Sequence, residues 1–253
     1  MSKLLEAYRT FHQQGFVPIF IRDDFDSKKL VEACVLAGYK CIEYTLRRED
    51  AAEMIPWIRK TYPDLHLLVG STIDDDKVIA KMKKRFPQLL TVSQIDAMDV
   101  DGMVSMIGWS FESIKKYSVR RVIVPTAMTV TEALQQVSAG AHFIKLNGYD
   151  LDFVKKCREK ATFDFCPILA TGGMTLERIP EAVSAGVVVA GAGFDLILKG
   201  KPTDISANEI ADTLIKFREV MNEARQKTWP DMVKAMSGDT ETWLDSLPHY
   251  HPF

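Results

Sequence analysis

The stretch "TVTEALQQVSAGAHFIKLNG", Thr129 to Gly148, contains the unit from which the fold is predicted. Its first part has the amphipathic spacing of a helix, and Gly140 is a common residue type at a helix end. The part "HFIKLN" is short and almost continuously apolar, as in a strand that is buried on both faces. Lys145 breaks this pattern, because it puts an ammonium group inside the apolar strand.

The same alternation of helix and strand recurs along the chain. Most candidate strands begin 19 to 25 residues apart, whereas the third and fourth begin 36 apart. We predict eight strands, over residues 16–21, 41–46, 66–71, 102–107, 121–126, 142–147, 166–171 and 187–192. Eight strand–helix units favour a single closed (β/α)₈ TIM barrel, and an open doubly wound parallel sheet is the alternative.

Two parts of the chain do not follow this rhythm. The long interval before the fourth strand indicates an insertion around "FPQLLTVSQIDAMDVD", residues 86–101, in which "LLTVSQ" is a further candidate strand. Beyond the barrel of residues 1–198, we expect residues 199–253 to form a long amphipathic helix and an aromatic-rich tail. That tail is expected to pack on the barrel or on a neighbouring subunit.

Composition and charge argue against several classes of partner. The net charge of −2 comes from scattered charges, without the basic stripe of a nucleic-acid-binding protein. No apolar run approaches the ~20 residues of a membrane span, and the first residues are too polar for a signal peptide. The cysteines lack the spacing of a zinc site, so we expect reduced thiols and a cytoplasmic setting. We also expect that the protein uses neither a metal nor a cofactor. They are Cys34, Cys41, Cys157 and Cys166.

Polar side chains are expected to converge at one end of the barrel. Active sites of TIM barrels lie at the C-terminal ends of the strands, and residues two apart in a strand share a face. The candidates near this opening are Glu43, Arg47, Thr72, Lys145, Asn147 and Thr171. Structural alternatives stay open: Glu43 and Lys145 as a buried ion pair, Arg47 as a surface residue, and the two threonines as helix N-caps.

Glycine-rich segments follow the seventh and eighth strands, as "ATGGMT" (170–175) and "AGAGF" (190–194). Such loops let backbone N–H groups approach an anion, and they are the usual phosphate position in TIM barrels. The candidate phosphate contacts are Thr171, Gly172, Gly173, Gly191, Ala192 and Gly193. Tight turns without a ligand are the alternative.

The buried lysine suggests Schiff-base chemistry. At its reference pKa of ~10.4, about one lysine in 2,500 is neutral at pH 7, and desolvation lowers that pKa. A neutral Lys145 can attack a 2-keto group, and the resulting iminium accepts electrons during C–C cleavage. Glu43 would carry protons, while Arg47 and Thr72 would hold the carboxylate of the keto acid.

Six segments resemble the 2-keto-3-deoxy-6-phosphogluconate / 4-hydroxy-2-oxoglutarate aldolases. They are "IEYTLR", "STID", "PTAMTVTEAL", "SAGAHFIKL", "ATGGMTLERIPEAVSAG" and "AGAGF". The resemblance implies a metal-independent class I aldolase with a TIM-barrel fold, usually a homotrimer, that releases pyruvate and an aldehyde. It implies that Lys145 is the Schiff-base lysine and Glu43 the general acid/base. By the same resemblance, Arg47 and Thr72 contact the substrate carboxylate, and Thr171 to Gly173 form the phosphate loop.

The chain departs from the family pattern in the pocket wall. Where the family has "KLFPA"-like residues this chain has "KLNGYD", so that Asn147 and Gly148 replace a phenylalanine and a proline, and Gly193 replaces a serine. The expected substrate is a 2-keto-3-deoxy sugar acid, 6-phosphorylated, cleaved to pyruvate and an aldehyde such as glyceraldehyde 3-phosphate. The alternatives are a sugar-phosphate isomerase or decarboxylase on the same barrel, or a ligand-binding barrel without catalysis.

Overall fold

Eight parallel strands form the centre of the molecule, which is described by a computed structural model over residues 2–21, 24–148, 150–159, 165 and 167–253, with residues 147 and 157–159 described by their backbone alone. The strands are β1 (Phe16–Phe20), β2 (Cys41–Thr45), β3 (His66–Gly70), β4 (Gly102–Val104), β5 (Val122–Val124), β6 (Ile144–Asn147), β7 (Ile168–Thr171) and β8 (Val187–Gly193). All eight predicted strands are present.

Helices follow the strands and cover the outside of the sheet. They are α1 (Lys3–Gln14), α2 (Ser27–Leu36), α3 (Ala51–Thr61), α4 (Asp76–Met82), α5 (Val92–Ala97), α6 (Phe111–Ser118), α7 (Val130–Ser138), α8 (Leu151–Glu159), α9 (Ile179–Ala185), α10 (Phe194–Ile197), α11 (Ala207–Thr228), α12 (Pro230–Ala235) and α13 (Thr240–Asp245). In α7, Thr129 and Glu132 form a capping box that fixes the first turn.

The sheet closes on itself between β5 and β6. Its strands are ordered β5-β4-β3-β2-β1-β8-β7-β6, all in parallel register. The two outer strands meet where the Lys145 N–H donates to the Pro125 carbonyl oxygen at 2.8 Å and where Thr126 and Lys145 form a bridge. The prediction of a (β/α)₈ TIM barrel is therefore confirmed, and the open sheet is wrong.

The insertion between β3 and β4 contains helix, and its candidate strand "LLTVSQ" is wrong. Thr91 accepts a hydrogen bond from the Gln94 N–H, and the Gln94 side chain accepts one from the Thr91 N–H. This capping box starts α5 at Val92. The β-branched residues of the segment favoured a strand, but Thr-x-x-Gln is a helix-start signal that competes with them.

The C-terminal part completes the outer layer and then covers one end of the barrel. Helix α11 contacts α2 and α9 and so closes the ring of helices. The tail that follows lies against α1, where Arg9 donates to the Gly238 carbonyl oxygen and Trp243 is fully buried. Within the part of the chain that the structure describes, no helix has both the length and the apolar character of a membrane span.

Two of the four cysteines lie in the described part with their side chains. Cys34 and Cys41 are free thiols in the core, and burial raises the pKa of both. The side chain of Cys157 and the whole of Cys166 lie outside the described residues.

Candidate active site

Lys145 and Glu43 meet inside the barrel, and their strands lie on opposite sides of it. Lys145 lies in β6 and Glu43 in β2, with 3.8 Å between Lys145 Nζ and Glu43 Oε1. The two side chains are 5% and 1% exposed. This separation is an ion-pair distance but is too long for a hydrogen bond, so the two groups are neighbours without being locked together.

Burial lowers the pKa of Lys145 below its ordinary value. The Glu43 carboxylate opposes this shift, whereas the positive charge of Arg47 adds to it. Desolvation is the largest of these effects on the lysine pKa and favours the neutral amine. A nucleophilic lysine needs this direction of shift.

The Glu43 carboxylate is held in place by packing and by the nearby Lys145 amine. Neither of its oxygens, both buried, has a hydrogen-bond partner among the described residues. Gly70 of β3 leaves the space that this carboxylate occupies, because a Cβ there would overlap Glu43 Oε1 and come within 2.8 Å of the Thr45 methyl carbon. A buried carboxylate without a bound donor can exchange protons with a ligand.

Lys145 opens into a cavity of about 400 Å³, which we call the lysine pocket. Eight of the predicted site residues line it: Arg47, Lys145, Thr171, Gly172, Gly173, Gly191, Ala192 and Gly193. Gly172 and Gly173 have φ of 91° and 64°, a conformation that favours glycine and exposes backbone in the loop after β7. The lysine pocket therefore joins the amine to both glycine-rich loops.

A second cavity adjoins the lysine pocket, and we call it the insertion cavity. It has a volume of about 1010 Å³, and Arg47 and Met106 line both cavities. Thr72 lines the insertion cavity instead of the lysine pocket, together with Ser71, Arg85 and Phe86, the first residue of the insertion. Thr72 and Arg47 thus line one cavity, and Lys145 is not among its lining residues.

The alternative roles of the two threonines as helix caps are wrong. The N-cap of α4 is Asp75 and that of α9 is Arg178, so neither Thr72 nor Thr171 starts a helix. Arg47 is exposed, as its surface alternative requires, but it lines both cavities. The side chain of Asn147 lies outside the described residues.

Sequence reasoning missed three features of this site. Gly70 and the cavity wall at Arg85 carry no motif of their own, and Ser71 was given no role although it begins the segment "STID". A signal existed for Gly70 and Ser71, because "GST" directly follows a buried strand in a barrel whose active-site end lies there. Among the described residues, no group of three or more His, Cys, Asp or Glu side chains is arranged to hold a metal ion.

Comparison with known proteins gives one curated relative and many solved neighbours. The relative is 2-dehydro-3-deoxy-6-phosphogalactonate aldolase of Escherichia coli (strain K12), 23% identical over 194 residues, which cover 76% of this chain and 88% of the relative. No protein-family model matches the chain.

Solved structures of low identity share the fold. One described as native KDPGal is 22% identical, with a TM-score of 0.64, covering 83% of this chain and 96% of the other. Another is a KDPG aldolase from Legionella pneumophila with pyruvate captured as a covalent carbinolamine, 17% identical, with a TM-score of 0.57 and coverage of 85% and 96%. The resemblance of this chain to the 2-keto-3-deoxy-6-phosphogluconate / 4-hydroxy-2-oxoglutarate aldolase family, which its motifs indicated, is confirmed by these comparisons.

Proposed function

We propose that this protein is a class I aldolase, a carbon–carbon lyase that works through a Schiff base on Lys145. The observation that carries the proposal is the buried amine of Lys145, with its lowered pKa, 3.8 Å from a buried carboxylate and open to a cavity. The curated relative is an aldolase by name, and one solved neighbour holds pyruvate as a carbinolamine.

The chemistry needs an amine, a proton carrier and a closed space. The neutral Lys145 Nζ attacks the C2 ketone, and loss of water from the carbinolamine gives an iminium ion. The C3–C4 bond then breaks, its electrons pass to the iminium to form an enamine, and the C4 hydroxyl becomes an aldehyde. Glu43 takes the hydroxyl proton and returns a proton to C3, and water releases pyruvate from the lysine.

The proposed substrate is a 2-keto-3-deoxy sugar acid, 6-phosphorylated, which yields pyruvate and an aldehyde such as glyceraldehyde 3-phosphate. Arg47 and Thr72 would hold the carboxylate, and the loops of Thr171 to Gly173 and Gly191 to Gly193 would hold the phosphate through backbone N–H groups. Asn147 would form part of the pocket wall in place of a bulkier side chain.

The decisive experiment is reduction with borohydride in the presence of pyruvate. The proposal predicts a covalent pyruvyl adduct on Lys145 by mass spectrometry, and no adduct in a Lys145→Met variant. An unmodified Lys145 in the wild type would contradict a Schiff base and favour isomerase or decarboxylase chemistry. A retro-aldol screen of 2-keto-3-deoxy sugar acids, each with and without 6-phosphate, then identifies the substrate.

We further propose that the protein forms a homo-oligomer, a trimer by analogy with the family. Several large apolar side chains are exposed on the described surface near the C-terminal ends of the β4 and β5 strands: Met106, Ile107, Phe111 and Met128. Exposed apolar side chains that lie together in one patch are typical of protein interfaces. Light scattering coupled to gel filtration checks this expectation, and a mass of 28.5 kDa, that of a single chain, would contradict it.

A further inference from the structure

The loop after β8 carries a carboxylate that the proposed phosphate contacts leave unexplained. Asp195 lines the lysine pocket together with Lys145, and it lies in the first turn of α10, two residues after Gly193. It is the one acidic residue among the described residues that line this pocket. Its role in binding rests on the proposed aldolase function, because only then does a substrate chain extend from Lys145 into the same cavity.

The Asp195 carboxylate lies against the backbone of Gly193. An added Cβ on Gly193 would meet Asp195 Oδ1 and the Ile21 side chain, each at 2.5 Å, so the two side chains fill the space beside this glycine. Ile21 lines the lysine pocket as well. The carboxylate therefore lies at a loop that is proposed to hold the terminal group of the substrate.

Asp195 has unused acceptor capacity. It is exposed, and it forms neither a hydrogen bond nor an ion pair with the residues that the structure describes. The loops after β7 and β8 bring glycines, Thr171 and Ala192 to the pocket and, among the described residues, no basic side chain. A carboxylate accepts hydrogen bonds and does not donate them. A ligand group that Asp195 binds must therefore have a proton to give.

A six-carbon substrate on Lys145 extends to this loop. Asn147, Thr171 and Gly191 are level with one another in the adjacent strands β6, β7 and β8. Neighbouring strands lie about 4.8 Å apart, so β6 and β8 are separated by about 10 Å across the sheet. The lysine side chain covers part of this distance from β6, and the substrate carbons from C2 to C6 cover the rest. The substituent on C6 is thereby brought to the end of β8.

A hydroxyl group on C6 suits the partners at this loop. A hydroxyl both donates and accepts, so it pairs with the Asp195 carboxylate and with backbone N–H groups of the loops at once. A phosphate ester has a charge of about −2 at pH 7 and oxygens that accept hydrogen bonds. The same N–H groups hold it, whereas the charge of Asp195 repels it.

We propose that the protein also cleaves the unphosphorylated 2-keto-3-deoxy sugar acid, and that Asp195 is the residue that binds its terminal hydroxyl. The C6 hydroxyl donates to the Asp195 carboxylate and accepts from the loop N–H groups. The 6-phosphate uses the N–H groups alone. Asp195 therefore reduces the preference for the phosphorylated substrate, and the substrate class includes both forms.

Condensation of pyruvate with two aldehydes, the reverse of the cleavage, measures this preference before the sugar acid is identified. Glyceraldehyde carries the terminal hydroxyl and glyceraldehyde 3-phosphate carries the phosphate, while pyruvate forms the same enamine on Lys145 for both. The wild type should use both aldehydes. Asp195→Asn removes the charge, and Asp195→Ala removes the charge and the acceptor.

The two variants separate repulsion of the phosphate from binding of the hydroxyl. Both should raise kcat/KM for glyceraldehyde 3-phosphate roughly tenfold, because the repulsion by one nearby charge is lost. Asp195→Ala should also lower kcat/KM for glyceraldehyde roughly tenfold, because a hydrogen bond to a charged group is lost. The pyruvate concentration for half-maximal borohydride trapping of Lys145 should stay unchanged, since pyruvate has no terminal hydroxyl or phosphate.

Asp231→Asn is the matched control, because Asp231 is also an exposed acid in the first turn of a short helix, α12, and is not among the lining residues of the lysine pocket. It should leave the aldehyde preference unchanged. If both Asp195 variants keep the wild-type preference, the carboxylate serves only its helix and the assignment is overturned. Wild-type protein that uses glyceraldehyde 3-phosphate but not glyceraldehyde overturns it as well. Absence of a pyruvate adduct on wild-type Lys145 is a different result, which rejects the aldolase function itself.

Discussion

At the scale of single residues, the Glu43 carboxylate has two separable effects on Lys145. It raises the pKa of the lysine by its charge, against the lowering by burial, and it is the proposed proton carrier. In Glu43→Gln the lysine pKa should fall further, so that the rise of borohydride trapping with pH moves to lower pH. Retro-aldol turnover should drop by about 10² to 10⁴, the usual contribution of a general acid/base.

A ligand-binding barrel without catalysis predicts another outcome for the same variant. Neither the wild type nor its Glu43→Gln variant would then show retro-aldol turnover. Trapping measured from pH 6 to pH 10, beside a retro-aldol assay, therefore distinguishes the two functions. A trapping profile that moves to higher pH would contradict the electrostatic role given to the carboxylate.

Gly70 is the second prediction at this scale. An alanine Cβ at this position would overlap Glu43 Oε1 and crowd the Thr45 methyl group, so Gly70→Ala should displace the carboxylate from Lys145. We expect a loss of stability of about 1–3 kcal/mol, as for other overpacked sites, and a fall in kcat. Urea unfolding and retro-aldol kinetics measure the two effects.

Gly108→Ala is the matched control for Gly70, because an added Cβ there meets its nearest atom at an ordinary 3.4 Å. If Gly70→Ala kept wild-type kcat and the wild-type pH profile of trapping, the space around Glu43 would have no role in catalysis. A purely structural role of Gly70 would lower stability and leave that pH profile in place.

At the scale of secondary-structure elements, one buried carboxylate joins the insertion to the barrel. Asp101, just before β4, accepts hydrogen bonds from the Arg59 side chain and the Leu67 N–H, each at 2.9 Å, and its side chain is 1% exposed. Asp101→Asn removes the charge and leaves Arg59 without its anion. Breaking such a buried pair should cost about 3 kcal/mol.

Asp99 provides the control for Asp101, two residues away in the same turn. Its side chain is 67% exposed and pairs with Lys3 and Arg121. Asp99→Asn should change stability by less than about 1 kcal/mol, because exposed ion pairs contribute little. Urea unfolding of both variants checks the difference, and equal effects would contradict the importance of burial.

The elements show which parts of the fold the sequence could predict. Eight strands and their helices followed from apolar runs with glycines between them, since parallel strands buried on both faces have a strong pattern. In "LLTVSQ" the β-branched residues favour a strand, whereas Thr91 and Gln94 form a capping box that favours a helix. The structure has the helix. Alternation along β2 and β6 also predicted that Glu43 and Lys145 would face each other.

Contacts between residues that are distant in sequence could not be predicted from local sequence patterns. The positive φ of Ser71 and the bond from Thr72 to Val104 arise from the pairing of β3 with β4, which no local pattern records. The insertion cavity likewise depends on where the loop around Arg85 returns to the barrel mouth. Spacing alone placed Thr72 with the lysine, but the structure places it in the adjoining cavity.

At the scale of the whole molecule, a cluster of buried bases connects α1, α11 and the tail. His12 Nε2 lies 2.9 Å from His249 Nε2, and Arg225 donates to the His12 carbonyl oxygen at 2.9 Å. Burial lowers the pKa of His12 and brings that of His249 to about 4, and the neighbouring positive groups Arg225 and His251 act in the same direction. No carboxylate of the described residues pairs with Arg225, so a second positive charge in this cluster is unfavourable.

The free energy of unfolding should therefore decrease as the pH falls from 6.5 to about 4. Below the ordinary histidine pKa of 6.5, the histidines of the unfolded chain bind protons. In the folded cluster, His249 does not bind a proton until the pH falls to about 4. Stability from these groups is complete above pH 6.5 and is lost as the pH falls towards 4, by on the order of 3 kcal/mol for His249. Urea unfolding followed by tryptophan fluorescence at pH 7.5, 6, 5 and 4.5 measures the slope.

Carboxylates also titrate in acid and contribute to the dependence of unfolding free energy on pH. Substitution of His249 measures the contribution of this histidine separately. His249→Gln should flatten the dependence of unfolding free energy on pH between 6.5 and 4.5, because the side chain no longer binds a proton in the unfolded chain. His251→Gln is the control, since His251 is less buried and Asp245 partly offsets the shift of its pKa. An unchanged slope in His249→Gln would show that the tail is held without regard to the charge on this histidine. A flattened slope would show that docking of the tail on α1 requires neutral histidines.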